Sequence, residues 1–253
     1  MKTAAVTGAA SGIGRRTVER LLDAGWSVWA LDVSLDALTA QASALKAGAR
    51  LQVLACDVTS AHSTRAAFAA VARHTPRLDA LVCSAGVLRV GAMEDMAEND
   101  VDAMFDVNVK GPWQCVRSAL PLLRHGATTE APSRVVIVGS IGGVRPKAGA
   151  GFYAASKAAV HVVASVMAVE LAPSGVTVNV VAPGTVDTPM IGAAVQAGAD
   201  SGYRPSGESP LGRIAQPDDV AAVIEFFLGD SARYVNGTVL PVDGGTRAAH
   251  RAK

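Results

Sequence analysis

Tyr153 and Lys157 stand four residues apart in Tyr153-Ala154-Ala155-Ser156-Lys157, within an Ala- and Val-rich run that reads as helix. Residues at i and i+4 share a helical face, so the phenol and the ammonium can approach one point. A free phenol titrates near ~10. A neighbouring ammonium favours the phenolate and moves that value toward neutrality, where the group can serve as general acid and base. The same spacing also occurs on helices that only pack, so the pair gains meaning from what surrounds it.

The turn Thr7-Gly8-Ala9-Ala10-Ser11-Gly12-Ile13-Gly14 follows an apolar run and opens a helical pattern. Gly8 suits a tight turn. Gly12, between Ser11 and Ile13, lets backbone N–H groups approach a pyrophosphate, and Gly14 lets the helix pack closely on the strand. The second apolar run ends in Asp32, near the spacing of an acid that accepts from the adenosine ribose hydroxyls. A 2'-phosphate would be repelled there, and no basic residue follows directly. The sequence therefore predicts NAD, with NADP less favoured.

These groups need a frame. Apolar runs at 3–7, 27–31, 51–55, 79–83, 134–139, 176–181 and 238–242 read as strands, continuous in Val, Ala, Leu and Ile as in a parallel sheet covered on both faces. Helical stretches near 12–24, 36–46, 60–73, 99–124, 151–171 and 217–228 lie between them. Gly25 and Gly48 read as stops for the first two, and Ser60 and Pro217 as helix starts. The expected architecture is a single doubly wound, Rossmann-type α/β domain over 1–253, a seven-stranded parallel sheet with helices on both faces. The Pro- and Gly-rich stretch 183–213 follows the sixth strand and is expected to form a substrate lid.

Half of the residues are hydrophobic and the formal net charge is +1, with no cluster of Lys and Arg. Such a chain lacks the footprint of a nucleic-acid or anionic-membrane partner, and a small-molecule partner is expected. No apolar run is expected to reach the ~20 residues of a membrane helix, and no signal-peptide layout is read at the start, so a cytoplasmic protein is expected. Cys56, Cys83 and Cys115 have no metal-ligand spacing and read as buried, reduced thiols.

The glycine-rich turn, Asp57-Val58 after the third strand, Ser84-Ala85-Gly86 after the fourth, Asn108, Ser140, Tyr153, Lys157, Pro183-Gly184 and Val242-Asp243-Gly244-Gly245 occur in that order. In this ordered set the chain resembles the short-chain dehydrogenase/reductase family over essentially its whole length. The resemblance implies a catalytic tetrad: Tyr153 as acid/base, Lys157 tuning it and holding the nicotinamide ribose, Ser140 binding the reacting oxygen, and Asn108 anchoring a relay water. It also implies that Asp57 and Val58 contact adenine, that Ser84, Ala85 and Gly86 line the cofactor cleft, and that Pro183, Gly184, Val186 and Thr188 meet the nicotinamide end. Cys83 and Ser84 depart from the family's usual pair of Asn, which puts a brace between the central strands in doubt.

The implied activity is oxidoreduction between an alcohol or diol and a carbonyl. The alternatives are a 3-oxoacyl-carrier-protein reductase and a catalytically silent nicotinamide-binding regulator. Segments 78–91 and 210–215 look most like dehydrogenases that aromatise dihydrodihydroxybenzoate. Arg89, Arg145 and Lys147, on loops near the expected active-site edge, are candidates to hold a negatively charged substrate. Pairing of the helices at 99–124 and 151–171 across a two-fold axis, as is usual in the family, implies a homotetramer or homodimer.

Overall fold

The computed structural model describes residues 1–197 and 204–248. Strands β1 (Thr3–Thr7), β2 (Ser27–Asp32), β3 (Leu51–Ala55), β4 (Ala80–Cys83), β5 (Ser133–Val138), β6 (Val176–Pro183) and β7 (Val239–Val242) form one seven-stranded sheet. Its order is β3-β2-β1-β4-β5-β6-β7, and every pair is parallel. Every residue of β4 and β6 is buried. That burial explains the unbroken apolar run of β4, since successive side chains enter cores on opposite faces of the sheet, whereas β6 also buries Thr177 and Asn179.

The first core joins Leu81, Val135 and Val178 to α3 (Ala61–Ala72), α5 (Gly111–Arg124) and α6 (Gly151–Leu171). The opposite core joins Val6, Val82 and Val136 to α1 (Gly12–Asp23), α2 (Leu35–Leu45) and α8 (Pro217–Leu228). The chain runs outward through β2 and β3, then returns to lay β4 on the other side of β1. This reversal opens a crevice at the carboxyl ends of β1 and β4, where ligands bind in doubly wound sheets.

Several boundaries differ from the sequence expectation. β2 continues to Asp32, which pairs with Ala55, and β6 continues to Pro183, which pairs with Val242. The expected helix over 99–124 is divided into α4 (Glu98–Phe105), a wide π turn at Asp106–Lys110, and α5. Pro112 has no N–H for the carbonyl four residues earlier, that of Asn108, and Gly111 N–H instead donates to Asp106 five residues back. Gly25 and Gly48 both take positive φ, at 83° and 58°, but α2 is closed by Lys46 at φ 49°, with Gly48 opening the next turn. Part of the expected lid is α7 (Pro189–Ala197), while its residues 198–203 lie outside the described residues.

Contrary to the expectation of no such segment, the helical stretch Gly151–Ser174 is long and apolar enough to cross a membrane. Ala154, Val160, Ala164 and Ala168 on α6 are buried, as befits a core helix.

Candidate active site

A glycine loop leads from β1 into α1 and packs against the turn after β4. Gly8 has φ +65°, and a β-carbon there would lie 2.5 Å from the amide nitrogen of Ala85. One at Gly14 would lie 2.1 Å from Gly8 O, so a side chain at either position would push apart the turns after β1 and β4 or lift α1 off its strand. The brace left in doubt by Cys83 and Ser84 is supplied by backbone: Ser84 N–H donates to Thr7 O at 3.2 Å. α1 carries no acid in its first turn, so its amino end keeps its positive field for an anion.

Asp32 receives Ala10 N–H at 3.1 Å on one carboxylate oxygen and Ser34 N–H at 3.0 Å on the other. Each oxygen keeps lone-pair capacity for a ribose hydroxyl. Asp57 is engaged locally, accepting from Thr59 N–H and hydroxyl at 2.9 and 2.7 Å. From Asp32 a cleft of about 420 Å³ runs past Gly8, Ser11, Gly12, Ile13, Asp57 and Val58 to Ser84, Ala85 and Gly86. It continues to Ser140, Tyr153, Lys157, Pro183, Gly184, Val186 and Thr188. The glycines that leave room for a pyrophosphate, the acid-free helix end and the acceptors of Asp32 fit a dinucleotide.

At the other end of the cleft, Ser140 lies two residues past the end of β5 and its Oγ accepts from Gly142 N–H at 3.0 Å. A β-carbon on Gly142 would lie 3.2 Å from this Oγ and 3.7 Å from Cε1 of Tyr153, so the hydroxyl and the phenol ring flank one small residue. Lys157 is buried, its Nζ 5.8 Å from the centre of the Tyr153 ring and donating to Val138 O at 2.9 Å. Burial lowers the Lys157 ammonium from 10.5 to about 8. One turn further on, burial and then the Lys157 charge lower His161 to about 4. The His161 ring fills the space against Gly139 and Gly143, beneath the Ser140 turn.

Asn108 and Gly14 do not line the cleft; they brace it. The Asn108 amide accepts from Val87 N–H at 2.9 Å and donates to Val87 O at 2.9 Å and to Ser156 Oγ at 3.0 Å. Ser156 in turn donates to Tyr153 O at 2.7 Å. One buried amide thus ties the loop after β4 to the first turn of the helix carrying Tyr153 and Lys157. Both of its amide protons are used in these bonds. Sequence reasoning passed over Ser156, although it lies between the two residues singled out.

The three candidate substrate cations are engaged elsewhere. Arg89 pairs with Asp100 at 2.9 Å, Arg145 donates to Thr246 O, and Lys147 donates to Arg204 O and Ser206 Oγ at 2.7 and 3.3 Å. None lines the cleft, which corrects their expected place beside the substrate. Their spacing in sequence put them on nearby loops but carried nothing about side-chain direction. Pro189, Met190 and Ile191 line it instead; the only sequence signal was an apolar Met-Ile step in a Pro- and Gly-rich segment.

Fold and cleft together define a dinucleotide-dependent oxidoreductase of Rossmann type. The profile of the family described as enoyl-(acyl carrier protein) reductase matches residues 8–247. A 3-oxoacyl-[acyl-carrier-protein] reductase of Thermotoga maritima is 35% identical over 250 residues, covering 96% of this chain and 97% of the relative. A 3-ketoacyl-(acyl-carrier-protein) reductase from Brucella melitensis, solved in complex with NADH, has a TM-score of 0.87 at 27% identity, covering 97% of this chain and 98% of that one. The Pseudomonas aeruginosa RhlG/NADP active-site complex has a TM-score of 0.87 at 33% identity, covering 97% and 96%. The chain belongs to the short-chain dehydrogenase/reductase family and is an oxidoreductase acting on carbonyl or alcohol groups with a nicotinamide cofactor.

Proposed function

We propose that the protein interconverts an alcohol or diol and the corresponding carbonyl compound with NAD(H) preferred, using Tyr153 as the acid/base. The observation that carries this is Tyr153 in the cleft wall beside Ser140, on the same helix face as the buried ammonium of Lys157. The glycine turn would hold the pyrophosphate, Asp32 the adenosine ribose, Asp57 and Val58 the adenine, and Lys157 the nicotinamide ribose. The nicotinamide, when bound, supplies or accepts the hydride.

In the reducing direction Ser140 Oγ and Tyr153 Oη donate to the substrate carbonyl oxygen. Tyr153 delivers its proton as that oxygen gains charge. The Lys157 ammonium favours the resulting phenolate, so the proton is released near neutral pH. In the oxidising direction the phenolate takes the proton from the alcohol. Asn108 and Ser156 act on this step only by fixing α6 against the loop after β4.

Preference for NAD rests on charge. Among the described residues the sole cation lining the cleft is Lys157, at the end away from Asp32. Arg15 pairs with Glu19 at 3.0 Å, and Arg16 with Asp218 at 2.7 Å, so neither is poised to meet a 2'-phosphate. The second reading, a 3-oxoacyl-carrier-protein reductase, is favoured by the similarity to the Thermotoga maritima enzyme. We further propose that α7, within the stretch 183–213, serves as a lid over the substrate. We also propose a homodimer or homotetramer through the outer faces of α5 and α6, where Trp113, Val162, Val166 and Val169 are exposed.

The test is transfer of deuterium from NADH deuterated at both C4 positions to the carbinol carbon of a ketone, alongside kcat/KM for NADH and NADPH. Deuterium in the product with NADH favoured supports the proposal. A higher kcat/KM with NADPH overturns the cofactor preference, and turnover without deuterium transfer overturns the mechanism.

A further inference from the structure

Resting on the reading that Tyr153 marks the reacting end, we infer that the substrate is uncharged around its reacting carbon and lays a hydrocarbon body against an apolar wall of this chain. The wall is a small cluster separate from both large cores: buried Leu88, Ala150 and Ala194, with Val90, Tyr153, Met190 and Ile191 packed on them. Three segments distant in sequence supply it, namely the loop after β4, the start of α6, and α7. Tyr153, Met190 and Ile191 also line the cleft, so the proton donor is itself part of the apolar surface.

The distribution of charge points the same way. Among the described cleft-lining residues the carboxylates are Asp32 and Asp57, which belong to the nucleotide end. Lys157 is the one cation, and it is buried and bonded to Val138 O. The nearby cations Arg89, Arg145 and Lys147 are turned to Asp100, Thr246 and the 204–206 segment. A carboxylate seated beside the reacting carbon would lose its water and meet Met190 and Ile191 in place of a counter-charge, which is costly. A hydrocarbon ring or chain there would be desolvated favourably. The substrate class is therefore a ketone or secondary alcohol with an apolar alicyclic or acyl-chain body, in place of the negatively charged substrate that the loop cations suggested.

The test uses matched ketones: cyclohexanone with 4-oxocyclohexanecarboxylate, and 2-octanone with 7-oxooctanoate. For each, kcat/KM and the dissociation constant from the enzyme–NADH complex are measured at pH 7. The uncharged member of each pair is expected to be favoured at least 100-fold. Ile191→Arg should move the ratio at least tenfold toward the carboxylates, and Met190→Ala should lower kcat/KM for the uncharged ketones about tenfold with NADH affinity within twofold. Equal or better use of the carboxylates by the wild type overturns the inference, as does failure of all four ketones to bind the NADH complex. Selective binding of the uncharged ketones without turnover leaves the wall standing and overturns the Tyr153 reading instead.

Discussion

The two ends of the cleft are built by different means. The nucleotide end depends on backbone: the Gly8 to Gly14 turn, the open amino end of α1, and one side chain, Asp32, held by two neighbouring N–H groups. The reacting end depends on side chains from separate elements, interlocked through buried Asn108 and Ser156 and crowded around a buried ammonium. Substitutions at the first end should weaken cofactor affinity and leave the chemistry intact. Substitutions at the second should alter rate and stability together, or rate alone, with little change in affinity.

The largest expected effect separates the ends outright. Tyr153→Phe removes the transferable proton and almost no volume, so kcat should fall by about 10³-fold or more while the NADH dissociation constant stays within twofold. Stopped-flow turnover and fluorescence titration measure the two quantities. Near-wild-type kcat would take Tyr153 out of the mechanism.

Next, Asn108→Leu leaves Val87 N–H, Val87 O and the Ser156 hydroxyl without their buried partner. It should cost about 3 kcal/mol. For a chain of this size that is a fall in Tm of roughly 6–12 °C, readable by calorimetry, with a parallel loss of kcat. A loss of activity without loss of Tm would mean that the amide acts on the reaction directly and not through its brace.

Lys157 tests the reacting end by pH. Its ammonium is lowered from 10.5 in water to about 8 in the folded protein, so its protonation disfavours folding. The cost is nearly complete at and below about pH 8 and fades as pH rises through 10.5, above which the residue is neutral in both states. Lys157→Met should therefore be more stable than wild type at pH 7, by on the order of 3 kcal/mol less the lost bond to Val138 O. The gap should close toward pH 10.5 in cofactor-free denaturant titrations. A gap that is flat with pH would mean that burial does not perturb this lysine.

Asp32→Asn probes the nucleotide end and should be the mildest. Loss of the charge in the bonds to ribose should lower the kcat/KM preference for NADH over NADPH about tenfold, with kcat within twofold. An unchanged ratio would remove Asp32 from cofactor choice.

Much of this molecule was legible in the sequence because the relevant signals are local. Continuous Val, Ala and Leu runs report strands buried on both faces, and Gly8, Gly12 and Gly14 report a strand-to-helix turn that only small residues can make. Tyr153 and Lys157 lie one turn apart on one helix, so their shared face follows from helical geometry. The break at Asn108 was locally encoded too, in Pro112, but its consequence is a backbone rearrangement that periodicity over 99–124 conceals.

Other features were decided only by the fold. The pairing of Asn108 with Val87 and Ser156 spans up to 48 residues, and the apolar wall joins Leu88, Ala150 and Met190 from three segments. Arg89, Arg145 and Lys147 lie on the expected loops, yet side-chain direction depends on partners elsewhere in the chain, such as Asp100 and Thr246. Helix and turn chemistry act over a few residues and can be read from order alone. Burial and charge pairing depend on which surfaces the packed sheet and helices bring together, and that is set in three dimensions.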